Sequence, residues 1–268
     1  MEPMPKLAGV TAVFPAYNDA GTIPSMVMMA LHALPDIADD YEVVVVNDGS
    51  RDRTAEMLSE LEAHYPRLRV VTHPVNRGYG AALRSGFGLA TKEWIFYTDG
   101  DAQYDPHEMR LLAQALRPDV DIVNGYKISR SDPLHRVIIG RLYHHFVRIV
   151  FGLPLRDTDC DFRLFRRGLF NRVTLESDSG TIALELVKKF HDAGAHFVEV
   201  PVHHYHRAYG QSQFFNFRRL VRTAVQLSSL WWKLVVVPRR AAPAAAPLPG
   251  APAVETPNSG PGDPPRVN

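Results

Sequence analysis

A single cysteine, Cys160, stands in the whole chain, so no internal disulfide and no thiolate zinc cluster can form from it. A reducing compartment is the expected setting. Net charge is almost absent, +1 over 268 residues, which argues against a general nucleic-acid binder. No apolar run reaches the roughly 18 residues that a spanning helix needs, so no transmembrane segment is expected. The opening residues Met1-Glu2-Pro3-Met4-Pro5 carry no signal-peptide pattern. There is no G-x-x-x-x-G-K-[ST] phosphate loop, which excludes the usual ATPase cradle. The dinucleotide fingerprint also fails, because the third glycine position after Gly78 and Gly80 is Leu83. Lysine is scarce beside arginine, whose fork matches phosphate, although a coding bias yields the same composition.

What is present is an ordinary globular balance, 46% hydrophobic and 22% charged, enough for one large or two small domains. From Leu7 onward strand-like and helix-like stretches alternate. Strands are predicted at 7–14, 41–46, 69–72, 93–98 and 120–126, with helices at 22–34, 52–65, 79–90 and 106–116. Alternation of this kind predicts an α/β fold with a mainly parallel, Rossmann-like sheet and helices on both faces. The second half is less regular, with helices expected at 134–151 and 181–193 and short strands at 162–165 and 197–200. Residues 214–237 read as one amphipathic helix, with Phe214, Phe217, Val221, Ala224, Leu227, Trp231 and Leu234 along one side. Packing onto the preceding domain is one reading of that side; Trp231-Trp232 and Arg239-Arg240 favour a membrane-interfacial helix. The expected organisation is therefore a domain over 1–212, the amphipathic helix over 213–238, and a disordered Pro/Ala-rich tail over 239–268.

The chemistry concentrates at strand ends. Asp99-Gly100-Asp101 closes the apolar run Trp94-Ile95-Phe96-Tyr97-Thr98. Unpaired buried charge is costly, so two carboxylates there are poorly explained by packing. In open α/β sheets ligands bind outside the carboxyl ends of the strands, and paired carboxylates can share Mg²⁺ or Mn²⁺, which in turn grips a diphosphate. Tyr17-Asn18-Asp19 and Asn47-Asp48-Gly49-Ser50 follow two other strands. Each alone is ordinary turn chemistry, but their recurrence along one edge suits an extended nucleotide site. The turn Asn76-Arg77-Gly78-Tyr79-Gly80 opens a helix, where its glycines permit either close approach of an anion or a simple cap.

The series Val13-Phe14-Pro15-Ala16-Tyr17-Asn18, Val46-Asn47-Asp48-Gly49-Ser50, Asn76-Arg77-Gly78 and Asp99-Gly100-Asp101-Ala102-Gln103 resembles family-2 glycosyltransferases of the GT-A fold. Within them it is most similar to the dolichyl- and polyprenyl-phosphate mannosyl- and glucosyltransferases, over roughly residues 7–212. The resemblance implies an inverting transfer of a hexose from GDP-mannose or UDP-glucose to polyprenyl phosphate. It implies that Pro15, Tyr17, Asp19, Asp48, Asn76, Gly78, Ala81, Asp99, Gln103 and Ser212 surround the nucleotide sugar. Asp48 would read the base edge, although Asn47 replaces a common Asp before it. Asp99 and Asp101 would hold Mg²⁺ or Mn²⁺, with Asp101 also catalytic.

Asp157-Thr158-Asp159-Cys160-Asp161-Phe162-Arg163 resembles the family's acceptor-side motif, so Asp161 would face the sugar or acceptor. The resemblance gives the acceptor phosphate to Arg130, Arg136 and Arg141, and the leaving diphosphate to Arg207 assisted by Ser212. The histidines of 200–212 have no nearby acidic or thiolate partner in sequence, so zinc is not expected. Expected partners are the sugar nucleotide, the lipid phosphate, the inner face of the cytoplasmic membrane and a separate membrane subunit, with no nucleic acid. Two rivals keep the fold: transfer to a saccharide or protein acceptor, and a catalytically silent, membrane-docked binding subunit. A nucleotidyltransferase is disfavoured, because the Gly-rich activating loop after the first strand is absent.

Overall fold

The computed structural model describes residues 6–130, 145–206 and 217–237. Its strands are β1 (Leu7–Ala16), β2 (Ala38–Asn47), β3 (Leu68–Thr72), β4 (Trp94–Thr98), β5 (Ile122–Arg130), β6 (Phe162–Arg166) and β7 (Phe197–His204). The helices are α1 (Ile23–Ile37), α2 (Thr54–His64), α3 (Tyr79–Leu89), α4 (Met109–Gln114), α5 (residues 145–151), α6 (Ile182–Asp192) and α7 (Phe217–Trp231). One seven-stranded sheet runs in the order β3-β2-β1-β4-β6-β5-β7. Only β6 is antiparallel to its neighbours. The fold is the predicted α/β architecture.

Strands buried on both faces read as continuous apolar runs, and Val43-Val44-Val45-Val46 of β2 is wholly buried. Side chains alternate across such a strand, so Val43 and Val45 join one core layer while Val44 and Val46 join the other. The first layer is closed by α1, α2 and α4 through Met26, Leu34, Leu58 and Leu112. The second is closed by α3, α5, α6 and α7 through Phe87, Phe151, Phe190 and Leu230. Each such side chain, fully buried, contributes roughly 1.5–3 kcal/mol.

Several boundaries differ from the sequence reading. Residues 106–116 form a 3₁₀ turn (Pro106–Glu108) and a short α4 rather than one helix, with Asp105 capping the His107 N–H. The strand expected to stop at residue 200 continues to His204, because β7 pairs with β5 along its length. Pro35 lies inside α1, which runs on to Ile37. The expected helix over 134–151 is seen at residues 145–151, its earlier part lying outside the described residues.

The largest revision concerns α7. It is not set apart as its own unit: Leu230 is buried in the second layer, Leu227, Trp231 and Leu234 pack against it, and the Trp231 indole donates to the Val150 carbonyl (3.2 Å). The side read as membrane-facing is, for those residues, the domain-facing side. After Trp231 the chain makes one π-helical turn, Trp232–Val236.

Candidate active site

The sheet itself explains why the acidic motifs meet. β1, β2 and β4 are parallel, so their carboxyl ends share one edge, with Ala16 beside Asn47. β6 runs the other way and pairs Phe162 with Thr98, which brings Asp161, just before β6, to the same edge as Asp99. The β1 and β2 loops are tied to each other. Asn18 adopts a left-handed conformation (φ 57°), its N–H donates to Ser50 Oγ (3.0 Å), and its side chain accepts from the Arg51 N–H (2.8 Å). Asp19 accepts from the Tyr17 N–H (2.9 Å), leaving the Tyr17 ring 42% exposed at the rim.

The loop after β4 is tightly constrained. A Cβ at Gly100 would meet the Ile23 Cδ1 (2.8 Å) and the Pro15 carbonyl oxygen (3.0 Å), so a side chain between the two carboxylates would require Ile23 to shift. Ala102 has a left-handed backbone (φ 59°), a strain of order 1 kcal/mol that turns the Gln103 N–H back onto Asp101 Oδ1 (3.1 Å). Gln103 is held in turn by Tyr205, through the Tyr205 N–H (2.8 Å) and the Gln103 side-chain amide (3.2 Å). The end of β7 is thereby fastened to the acidic loop. His203 pairs with Glu108 (2.5 Å) and His204 lies edge-on to Tyr104.

Asp99, Asp101 and Asp161 form one electrostatic cluster. Burial and the neighbouring Asp161 and Asp101 charges push Asp99 well above the usual carboxylate range, against the Tyr79 hydroxyl that donates to it (2.6 Å). Asp161 is also raised by burial, while Arg163 and Lys127 pull it back. Asp159, on the same loop, is pushed by burial up to about 6, and the Lys127 ammonium on its carbonyl (3.0 Å) opposes this. Among the described residues no group of three or more His, Cys, Asp or Glu side chains is placed to hold a metal ion by itself, so a hard divalent cation on Asp99 and Asp101 would draw its remaining oxygen ligands from a bound diphosphate and water.

Asp48 is 3% exposed, and its Oδ1 meets His73 Nδ1 (2.7 Å) and the Arg77 N–H (2.9 Å), while Oδ2 accepts from the Gly78 N–H (2.8 Å). His73 reaches on to Ser85 Oγ (3.0 Å). Both carboxylate oxygens thus anchor the turn that leads to Tyr79. The glycines of that turn are also accounted for by the protein: a Cβ at Gly78 or Gly80 would strike the backbone of Asp178 or Ser177, and the Gly80 N–H donates to the Asp178 carbonyl (2.9 Å). Close approach is required here by a chain segment.

Pro15, Tyr17, Asp19, Asp48, Asn76, Gly78, Ala81, Asp99, Asp101, Gln103 and Asp161 are all described, Pro15 near the end of β1 and the others on the loops and helix start at this edge. Arg130 ends β5 opposite His204, and its side chain lies outside the described residues, as do Arg136, Arg141, Arg207 and Ser212 altogether. The sequence alone assigns no role to His73, Tyr79, Tyr97, Asn124 or Arg163. Arg163 had a usable signal, a charge inside the apolar strand Phe162-Arg163-Leu164-Phe165.

Residues 11–174 match the family model described as glycosyl transferase family 2. The chain belongs to that family. It is 30% identical over 220 residues to the undecaprenyl-phosphate 4-deoxy-4-formamido-L-arabinose transferase of Enterobacter sp. (strain 638), covering 81% of this chain and 66% of that protein. It thus spans just under two thirds of that relative's length. Among solved structures, glucosyl-3-phosphoglycerate synthase from Mycobacterium tuberculosis with Mn²⁺, UDP and glucosyl-3-phosphoglycerate has a TM-score of 0.66 at 18% identity, covering 86% of this chain and 81% of that one. The same enzyme with Mg²⁺ and UDP gives 0.62 at 20% identity, covering 86% and 80%. These structures share the GT-A fold of this glycosyltransferase-family chain.

Proposed function

We propose that the chain transfers a hexose from GDP-mannose or UDP-glucose to polyprenyl phosphate, with inversion, at the inner face of the cytoplasmic membrane. The observation that carries this is the arrival of Asp99, Asp101 and Asp161 at one sheet edge, where their charges act on one another. The relative named for undecaprenyl phosphate supports the acceptor, and the similar structures with Mn²⁺ or Mg²⁺ and UDP support a metal-bound nucleotide.

In this reading Tyr17 offers its ring to the base, while Asp19 and Asp48 hold the loops around it. Asp99 and Asp101 hold the divalent cation, which when bound supplies charge neutralisation for the diphosphate. An acceptor phosphate oxygen forms a bond to the anomeric carbon from the face opposite the nucleotide. The bond to the diphosphate breaks, and its electron pair leaves with the nucleoside diphosphate. An ionised phosphate is already a nucleophile, so no strong base is needed. Catalysis then rests on positioning and on preorganised charge, with Arg207 on the leaving group and Arg130, Arg136 and Arg141 on the lipid phosphate.

Membrane docking is supported by an apolar surface that the core does not use. Phe146 and Ile149 (82% exposed) on α5, and Val225, Trp232, Val236 and Val237 on or after α7, face outward on two elements joined through Trp231 and Val150. Among the described residues, no helix is long and apolar enough to cross a membrane.

Radiolabelled GDP-mannose and UDP-glucose, supplied with Mn²⁺ and undecaprenyl phosphate, test the reading. Label should enter the organic phase, and the protein should sediment with anionic phospholipid vesicles. Label recovered only on water-soluble glycans would overturn the lipid acceptor.

A further inference from the structure

Arg163 is fully buried, 0% exposed, beneath the acidic cluster. Its Nε donates to Asn124 Oδ1 (2.5 Å), one terminal nitrogen donates to the Thr158 carbonyl (2.6 Å), and the other donates to the Tyr97 hydroxyl oxygen. Asp161 Oδ1 is 3.8 Å from that last nitrogen. Burying a permanent cation on mostly neutral acceptors is costly, and an apolar side chain on this strand would avoid the penalty.

The network has a direction. A guanidinium has no acceptor and keeps its protons, so the Tyr97 oxygen must accept from it. The Tyr97 hydrogen is then left to donate, and Asp161 Oδ1 stands at 3.2 Å. Asn124 is fixed as well: its amide nitrogen donates to the Gly125 and Asp157 carbonyls (2.9 Å each), which turns Oδ1 toward Arg163. The chain therefore runs from Asn124 through Arg163 and Tyr97 to the rim carboxylate.

We propose that Arg163 and Tyr97 are positioning residues, holding the Asp161 carboxylate in one orientation toward the transferring sugar and its acceptor. This rests on the glycosyl-transfer reading above. A network that served stability alone would not need to end on a carboxylate that is still 21% exposed at the acidic sheet edge.

Tyr97→Phe keeps the ring that packs on Phe87 and Phe165 and removes only the hydroxyl link. It should lower kcat about tenfold and leave UDP or GDP affinity within about twofold, since the nucleotide does not touch Asp161 in this account. Asp161→Asn should lower kcat further. In the Asp161→Asn background, Tyr97→Phe and Arg163→Lys should each change kcat by less than about twofold, because they act through that carboxylate. Losses that multiply, or nucleotide affinity that falls in parallel with kcat, would overturn the proposal. Assaying lipid and soluble acceptors side by side separates the two claims: label on soluble glycans alone removes the lipid acceptor, while the same kcat ratios still decide the relay.

Discussion

Asp99 carries the clearest tension between stability and function at the scale of single residues. Burial and two neighbouring carboxylates hold its pKa well above the ordinary 3.8. An acid raised in the folded state binds its proton more tightly there than in the unfolded chain. Stability is therefore favoured at low pH and declines as pH rises from the unfolded value through the folded one. Asp99→Asn should accordingly raise the melting temperature of the metal-free protein at neutral pH, with the gain vanishing below about pH 4, where the group is protonated in both states. The same change should abolish transfer. Thermal melts across pH, with chelator present, check this. No gain at neutral pH would show that Asp99 is not under repulsion.

Among the elements, α3 shows how a supporting shell is built from distant sequence. Its first turn abuts the loop carrying Ser177 and Asp178, and that loop is held by buried Glu185 at the start of α6. Glu185 accepts from the Glu176 and Ser177 N–H groups (2.8 Å each) and pairs with Lys189 (2.6 Å). Despite burial, these bonds keep its pKa below the usual value. Such an acid stabilises above its unfolded pKa, and the contribution is lost as pH falls through the folded one. Glu185→Ala should cost about 1–3 kcal/mol near neutral pH, less under acid, and should weaken nucleotide binding through the displaced turn. Denaturant melts with parallel nucleotide titration measure both, and unchanged nucleotide affinity would separate that loop from the site.

Elements of this kind mark what the sequence could and could not show. Strand and helix alternation, the parallel sheet and the edge where Asp99 and Asp101 stand all follow from apolar periodicity and strand-end polarity. Asp161 was reachable through its motif, but its approach to Asp99 depends on the antiparallel β6, a long-range pairing that local pattern does not encode. The hold of Asp48 on its neighbouring turn is not legible in sequence, because a strand-end Asp-Gly reads alike whether it faces a base or caps a turn. Only the positions of His73, Arg77 and Gly78 distinguish the two. The apolar side of α7 was visible in sequence, yet which surface it covers was decided by α5 and Val150.

On the scale of the whole molecule, the sheet's carboxyl edge gathers acid, and an apolar surface lies on the outward sides of α5 and α7. A transferase working between dissolved sugar nucleotide and a lipid phosphate needs both features. The proposed transfer depends most on the acidic edge binding a nucleotide through a divalent cation. Calorimetric titration of UDP and GDP, with Mn²⁺ and then with chelator, into the wild-type chain and Asp101→Asn tests it most directly. One nucleotide should bind with Mn²⁺ and weaken at least about tenfold, some 1.4 kcal/mol, on chelation or in Asp101→Asn. Equal binding with and without the metal, or in wild type and Asp101→Asn, would contradict it.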